Sequence, residues 1–411
     1  MEQAVVAGYL GIDLSDKTAM ISYYQLNMSE PETVSTIAGG DVYHIPAVLA
    51  KRREIGQWYY GDEAKKKAMN GDMIIVDSLL NRAINKEQII IEDESYQAEE
   101  LLALFLQKII MLPRKTGMTA PYTKLIICLE RLTRENMDLF WRILPKLGFT
   151  SEQFMIIDHK ASFYYFALSQ EESLWAHDVF LFEYEKDVLK YYGLKRDLRT
   201  KPQVISIYES SRLAFNVNKD QDFYLLLKRT FENQIVSTVY LVGDGFEGNW
   251  MNQSIKFLCK GRRAFMGRNL FSKGACYAAK ASDLGDKWKF IYMGENEMKF
   301  NLSLKVKNNG MISFFNMISA GKNWFEEKSS CEVILSDTHE IDFWKQLPNS
   351  REAKIETLEL TDFPVRPDRT TRVRITAQPI SDDKIEIEIK DLGFGELFRS
   401  TDKVWHYTMV M

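Results

Sequence analysis

The chain has 411 residues, 45% apolar and 27% charged, with a formal net charge of −4. That length and balance suit about two to four packed domains and exclude a global attraction to nucleic acid or anionic lipid. The N-terminal MEQAVVAGYLGIDL lacks the basic start and apolar stretch of a signal peptide, and no apolar run reaches membrane-spanning length, so a cytoplasmic protein without membrane contact is expected.

Val5 and Val6 through Leu14 carry the apolar content of a strand, Ser15-Asp16-Lys17 supply a turn, and Ala19 to Tyr24 resume a β-prone run. Ile45 to Leu49 predicts another strand, with Pro46 near its start. Glu63 to Ala68 predicts a short helix. Ala98 to Met111 predicts a stronger one, because Leu101, Leu102, Phe105, Ile109 and Leu112 recur at helical spacing. Lys124 to Leu129 reads as a buried strand. Thr133 is a candidate N-cap for the next helix, Glu135 favours its dipole, and Gly148 ends it. Met155 to Ile157 and Lys160 to Leu168 predict a strand and a helix. Val179 to Phe182 and Leu189 to Tyr192 read as paired strands, and Asp222 to Gln234 as a helix. Val236 to Val242 is a strand closed by Gly243-Asp244-Gly245, and Asn269 to Ala281 is a helix. This alternation makes the first part α/β.

Past about Asp283 short strands alternate with turns: Lys299 to Leu304, Met311 to Phe315, Cys331 to Leu335, Ala353 to Leu358, Arg372 to Ala377 and Lys384 to Lys390. The last has a clean period of two, and the set predicts an antiparallel β-sandwich or barrel. Cys128, Cys259, Cys276 and Cys331 form no C-x-x-C pair. Cys128 and Cys276 read as buried free thiols. His44, His159, His177, His339 and His406 show no ligand spacing, so no zinc site is expected.

Gly11-Ile12-Asp13-Leu14 is a strand ending in a carboxylate, where an aspartate can hold hydrated Mg²⁺ beside phosphates. Further on come Ile45-Pro46-Ala47-Val48, Tyr60-Gly61-Asp62-Glu63-Ala64-Lys65, Ile156-Ile157-Asp158-His159-Lys160-Ala161, Leu241-Val242-Gly243-Asp244-Gly245 and Lys273-Gly274-Ala275. In that order these segments resemble the nucleotide-binding domain of DnaK-type chaperones, within the actin-like ATPase superfamily. Thr370 to Lys390 is similar to that family's substrate-binding β-domain. The resemblance implies a two-lobed actin-like, ribonuclease H-like α/β fold with a C-terminal antiparallel β-sandwich. Lobe I would be residues 1–170, a reduced lobe II 171–283, and the β-rich domain 284–411. It implies ATP or ADP with Mg²⁺ as cofactor and Asp13 at the metal. Ser15, Lys17, Gly243, Asp244 and Gly245 would bind nucleotide, and Lys65 and Asp158 would be catalytic.

The departures from the family pattern point elsewhere. Ser15-Asp16-Lys17 replaces a G-T-T, and Asp16 adds negative charge beside any triphosphate, which Lys17 could offset. The second phosphate loop becomes Leu181-Phe182-Glu183-Tyr184-Glu185-Lys186, with no glycine to let backbone approach a phosphate. Each residue also has a plainer reading. Asp13 is then a strand-to-turn cap, Lys65 a surface lysine beside Lys66 and Lys67, and Asp158 an N-cap. Gly243 and Gly245 become a turn, and Glu183 with Glu185 a solvated hairpin. Asp391-Leu392-Gly393-Phe394-Gly395 spells a phosphate loop in the wrong place and reads as a tight β-turn. The expectation is a degenerate DnaK-like protein that binds a protein or peptide partner through its β-domain, with weak or no ATP turnover. A working ATPase, or an actin-like structural protein of cell shape, division or pilus assembly, are the alternatives.

Overall fold

In the computed structural model the described residues are 8–411, apart from 38, 54, 55, 72, 186, 187, 214, 216, 217, 337 and 338. Val5, Val6 and Lys186, which the sequence reading used, lie outside them. The chain divides into one unit of residues 1–195 and 207–288, and a second of residues 196–206 and 289–411.

The first unit opens with β1 (Gly8–Leu14), β2 (Thr18–Gln25) and β3 (Glu32–Thr33), paired antiparallel in sequence. An insertion follows: β4 (Ile45–Pro46), β5 (Leu49–Arg52), β6 (Trp58–Tyr60), α1 (Gly61–Ala68), β7 (Met73–Val76), α2 (Leu79–Ile84), β8 (Gln88–Ile91) and β9 (Glu94–Gln97). The strand expected at Ile45 to Leu49 is thus two short strands, β4 on β2 and β5 between β6 and β7. Then come α3 (Ala98–Ile110), α4 (Leu112–Lys115), β10 (Tyr122–Leu129), α5 (Arg134–Leu147), β11 (Phe154–Asp158) and α6 (His159–Leu168). β10 pairs parallel with β1, and β11 parallel with β10, giving the order β11-β10-β1-β2-β3.

The same construction then repeats. β12 (Asp178–Glu185), β13 (Val188–Asp197) and β14 (Gln203–Leu213) are neighbours in sequence order. They are followed by α7 (Lys219–Thr230), β15 (Val236–Val242), α8 (Asn252–Leu258), β16 (Arg263–Gly267) and α9 (Leu270–Leu284). β15 lies parallel to β12 and β16 parallel to β15, so the order β16-β15-β12-β13-β14 matches the first sheet strand for strand. Strands covered on both faces read as unbroken apolar runs. Accordingly Leu125 to Leu129 and Val179 to Phe182 are buried throughout.

The helices follow their local chemistry. Thr133 accepts the Asn136 amide as the N-cap of α5, and Gly148 ends that helix at φ 79°. Met137, Phe140, Ile143, Leu144 and Leu147 form its buried face. α7 starts three residues before the expected Asp222. Asn218 caps it, and Asp220 turns its carboxylate to the Gln253 and Ser254 amides that open α8. Two glycines set how closely α9 lies. A Cβ on Gly11 would stand 2.2 Å from Ser272 O, and one on Gly274 would stand 2.2 Å from Ser162 Oγ. α9 therefore touches β1 on one side and α6 on the other at backbone distance. No helix among the described residues is long and apolar enough to cross a membrane.

The second unit also takes in residues 196–206, and Gln203–Ile205 at the start of β14 pair in parallel with β17 (Phe290–Tyr292). Eight strands follow: β18 (Asn301–Asn308), β19 (Met311–Ile318), β20 (Ser329–Leu335), β21 (Glu340–Gln346), β22 (Ala353–Glu359), β23 (Thr371–Pro379), β24 (Lys384–Gly393) and β25 (Val404–Val410). They make two antiparallel sheets, β19-β18-β21-β22 and β20-β23-β24-β25. Residues of both share one core, with Phe300, Leu302, Phe343, Val373, Ile375, Ile385, Ile387 and Ile389 fully buried. The sequence reading missed β21 and β25. In β21 the inward alternation Ile341, Phe343 ends on Lys345, a buried lysine that pairs with Glu356 at 2.6 Å and donates to Val410 O.

The tight turn expected at Asp391 to Gly395 falls slightly later, at 395–397, between the bridged Phe394 and Phe398. Asp391 itself lies at 0% exposure within β24. Its carboxylate accepts two bonds from Arg366 (2.7 and 2.8 Å), the Gly393 and Thr401 amides (2.9 Å each) and the Thr401 hydroxyl (2.8 Å).

Candidate functional site

Ligands in open parallel sheets bind beyond the carboxyl ends of the strands, and there the first unit brings Asp13, Cys128, Asp158, His159 and Glu183 together. Asp13 is the penultimate residue of β1, and the parallel register sets Cys128 of β10 beside it. β11 ends on Asp158, and α6 begins with His159. From the second sheet, β12 contributes Glu183.

His159 joins these elements. Its Nε2 lies 2.9 Å from Asp13 Oδ1, and its Nδ1 lies 3.6 Å from Glu183 Oε1 without a hydrogen bond. Phe271, at the start of α9, stacks on the ring at 3.7 Å between centroids and 7° between planes. Burial disfavours charge on the imidazole, but the carboxylates of Asp13 and Glu183 outweigh it and push its pKa up to about 10. Glu183 is 6% exposed and accepts the Tyr192 hydroxyl at 2.9 Å. Burial would raise its pKa, yet the facing His159, Lys190 and Tyr192 hold it below the usual carboxylate range. The solvated hairpin expected at Glu183 and Glu185 is therefore wrong for Glu183, though Glu185 is exposed. Two cationic side chains flank the group: Lys190 pairs with Glu130, and Lys160 with Glu209 at 2.9 Å. Burial, then the charges of Asp13, Asp158 and Glu183, pushes the Cys128 thiol well up.

The other expected site residues divide clearly. Asp158 accepts the Ala161 amide at 2.7 Å as the N-cap of α6. Ser15 Oγ takes the Lys17 and Thr18 amides at 3.3 and 3.0 Å, so these turn amides are satisfied within the turn. Asp16 accepts the Asn81 amide at 3.0 Å, in the first turn of α2. Lys17 is exposed, and its carbonyl accepts the Ala47 amide. Lys65 is exposed on α1, which packs against β5, β6 and β7, and no described bond ties it to the Asp13 group.

Gly243 and Gly245 have a clear steric purpose. A Cβ on Gly243, at φ 105°, would stand 2.4 Å from Tyr184 O, and one on Gly245 would stand 2.3 Å from the Tyr184 ring. Tyr184 is 1% exposed and packs edge-on against Phe215, Phe246 and Trp250. Trp250 Nε1 closes the turn by donating to Gly245 O at 3.1 Å. Asp244 stays exposed. These glycines make room for the chain's own tyrosine.

Sequence spacing hid one constellation. Asp13, Cys128 and His159 each present a donor atom, and all three atoms lie within 4.8 Å of one another. The five histidines show no ligand spacing along the chain, but the fold gives one of them ligand-type neighbours from two other elements.

No curated protein matches the chain. Residues 297–411 match a domain of unknown function, DUF8552, which spans the eight-stranded part of the second unit. Residues 30–295, well over half of the chain and holding most of the site, match the C-terminal model of a family of unknown function, DUF5716, and the chain belongs to that family.

Proposed function

We propose that the first unit is an actin-like ATPase fold whose nucleotide cleft is filled by its own side chains, and that the protein acts as a binding module with little or no ATP turnover. The repeated strand order of its two sheets supports the lineage: three antiparallel strands, then two parallel ones on the far side of the first. So does the position of Asp13 and Asp158 at the ends of parallel strands. Catalysis of phosphoryl transfer is almost wholly positioned charge and positioned donors. Here the Ser15 turn spends amides on its own hydroxyl, and His159 stands between the two acidic strand ends. The observation that carries the reading is Tyr184, packed where the Gly243–Gly245 turn would otherwise receive an adenosine.

The partner surface in this reading is the edge strand β19. Met311, Ile312, Phe314 and Phe315 are 74%, 65%, 55% and 40% exposed on it. A long apolar edge is a liability unless something covers it, and an extended peptide could do so by strand addition.

Calorimetric titration of the full chain with Mg-ATP tests the reading. No saturable heat up to millimolar nucleotide is expected. Micromolar affinity, with phosphate release that drops on Asp13→Asn, would overturn it in favour of a working ATPase.

A further inference from the structure

We propose that Asp13, Cys128 and His159 form a binding site for one borderline-soft divalent transition-metal ion of the zinc or cobalt class.

The donor set selects the ion. A carboxylate, a thiol and an imidazole are the ligand types of zinc and its neighbours, whereas Mg²⁺ prefers oxygen donors and retained water. Metal bonds of about 2.0–2.3 Å separate tetrahedral donors by roughly 3.3–3.8 Å. The three donors already lie within 4.8 Å of one another. The 2.9 Å between His159 Nε2 and Asp13 Oδ1 needs to open by only about half an ångström to admit the ion.

Independent support comes from the far side of the ring. Metal-bound histidines usually turn their second nitrogen to a carboxylate, which fixes the tautomer and the ring orientation. His159 Nδ1 is buried, has no hydrogen-bond partner, and faces Glu183 Oε1 at 3.6 Å. Glu183 is in turn held by the Tyr192 hydroxyl, and Phe271 fixes the ring plane. This arrangement sets Nε2 as the coordinating nitrogen. Asp13 and Cys128 sit on adjacent paired strands and His159 at a capped helix start, so regular backbone holds all three donors. Asp13 and His159 side chains are each 12% exposed, which leaves an approach from solvent, while Cys128 is fully buried.

Binding balances simply. The ion takes the Cys128 sulfur as thiolate and His159 Nε2 as a lone pair, and the protons those atoms carried go to solvent. Nδ1 keeps its proton, which points toward the Glu183 carboxylate. The site works without nucleotide, so its success or failure is separate from the cleft reading above.

The test is a Co²⁺ titration of chelator-treated full-length protein, without nucleotide, followed by absorption. One equivalent should bind, with tetrahedral d–d bands and a thiolate-to-cobalt charge-transfer band. Zn²⁺ should displace it and excess Mg²⁺ should not. Cys128→Ser, nearly isosteric, should lose the charge-transfer band, while Cys259→Ser keeps it. Glu183→Gln should weaken binding about 10–100-fold as a positioning change. The proposal fails if folded wild-type protein binds no stoichiometric Co²⁺, if Mg²⁺ displaces the ion, or if the thiolate band follows Cys259 instead of Cys128. Should Cys128→Ser not fold, the wild-type spectrum, the Mg²⁺ competition and the Cys259→Ser control decide the matter.

Discussion

The buried ionic groups around Asp391 in the second unit and His159 in the first are finished differently. In the second unit Asp391 is saturated: a bidentate arginine, two amides and a hydroxyl occupy its oxygens. In the first unit two largely buried carboxylates, Asp13 and Glu183, face His159, and one ring nitrogen goes without a hydrogen bond. A fully satisfied buried network fixes a loop, and nothing further is asked of it. A buried polar atom left over needs another explanation. The difference teaches that burial and charge alone do not mark a site; what sets the His159 group apart is that a carboxylate, a thiol and an imidazole converge there.

The largest expected effect tests the saturated side. Asp391→Asn leaves Arg366 buried without its charge partner and should destabilise the second unit by about 3–5 kcal/mol in chemical denaturation. Cobalt binding in the first unit should not change. A loss under about 1 kcal/mol would break the comparison. The pH dependence follows from the same bonds. Burial raises the Asp391 pKa, but Arg366, Thr401 and Gly393 more than reverse this and hold it far below the usual range. A depressed folded-state pKa stabilises above the unfolded value, near about 4, and that contribution is lost as pH falls below it. The stability gap between wild type and Asp391→Asn should therefore be full at neutral pH and shrink on acidification.

Next in size is Tyr184→Ala. It empties a fully enclosed aromatic position against Phe215, Phe246 and Trp250, and should cost about 3–4 kcal/mol. A loss near zero would mean that the glycines of the 243–245 turn keep room for something else. Asp158→Ala removes a helix cap and should cost about 1 kcal/mol. A much larger loss would move Asp158 from cap to member of the charged group. Lys65→Ala is the control, within about 0.5 kcal/mol in thermal unfolding and without effect on cobalt binding.

Local chemistry made part of this legible in sequence. β10 and β15 stood out because strands covered on both faces need unbroken apolar residues. Thr133, Glu135 and Gly148 mark α5 at both ends. Lys384 to Lys390 alternates because β24 has one face inside. Lys345 hid β21, since a buried lysine interrupts the pattern that a reader counts. The site was harder. Asp13 and His159 are 146 positions apart, and only parallel pairing brings their strand ends together. Glu183 sits between Phe182 and Tyr184 in a polar-looking turn region, and its burial depends on strands from outside that hairpin. The glycines at 243 and 245 were legible as a need for space; what fills that space was not, because Tyr184 lies far off in the chain.

The close seating of α9 has a consequence for how the protein is made. Gly11 meets Ser272, Ser22 Oγ bonds Ser272 Oγ at 2.7 Å, and Tyr9 hydroxyl bonds Asp283 at 2.7 Å. The face of the first strand is thus covered by residues that leave the ribosome about 260 positions later. Long-range closure of this kind is slow and leaves apolar surface bare in the meantime. During elongation the first sheet must wait for almost all of its unit, and a fragment ending at residue 170 should need help to stay in solution.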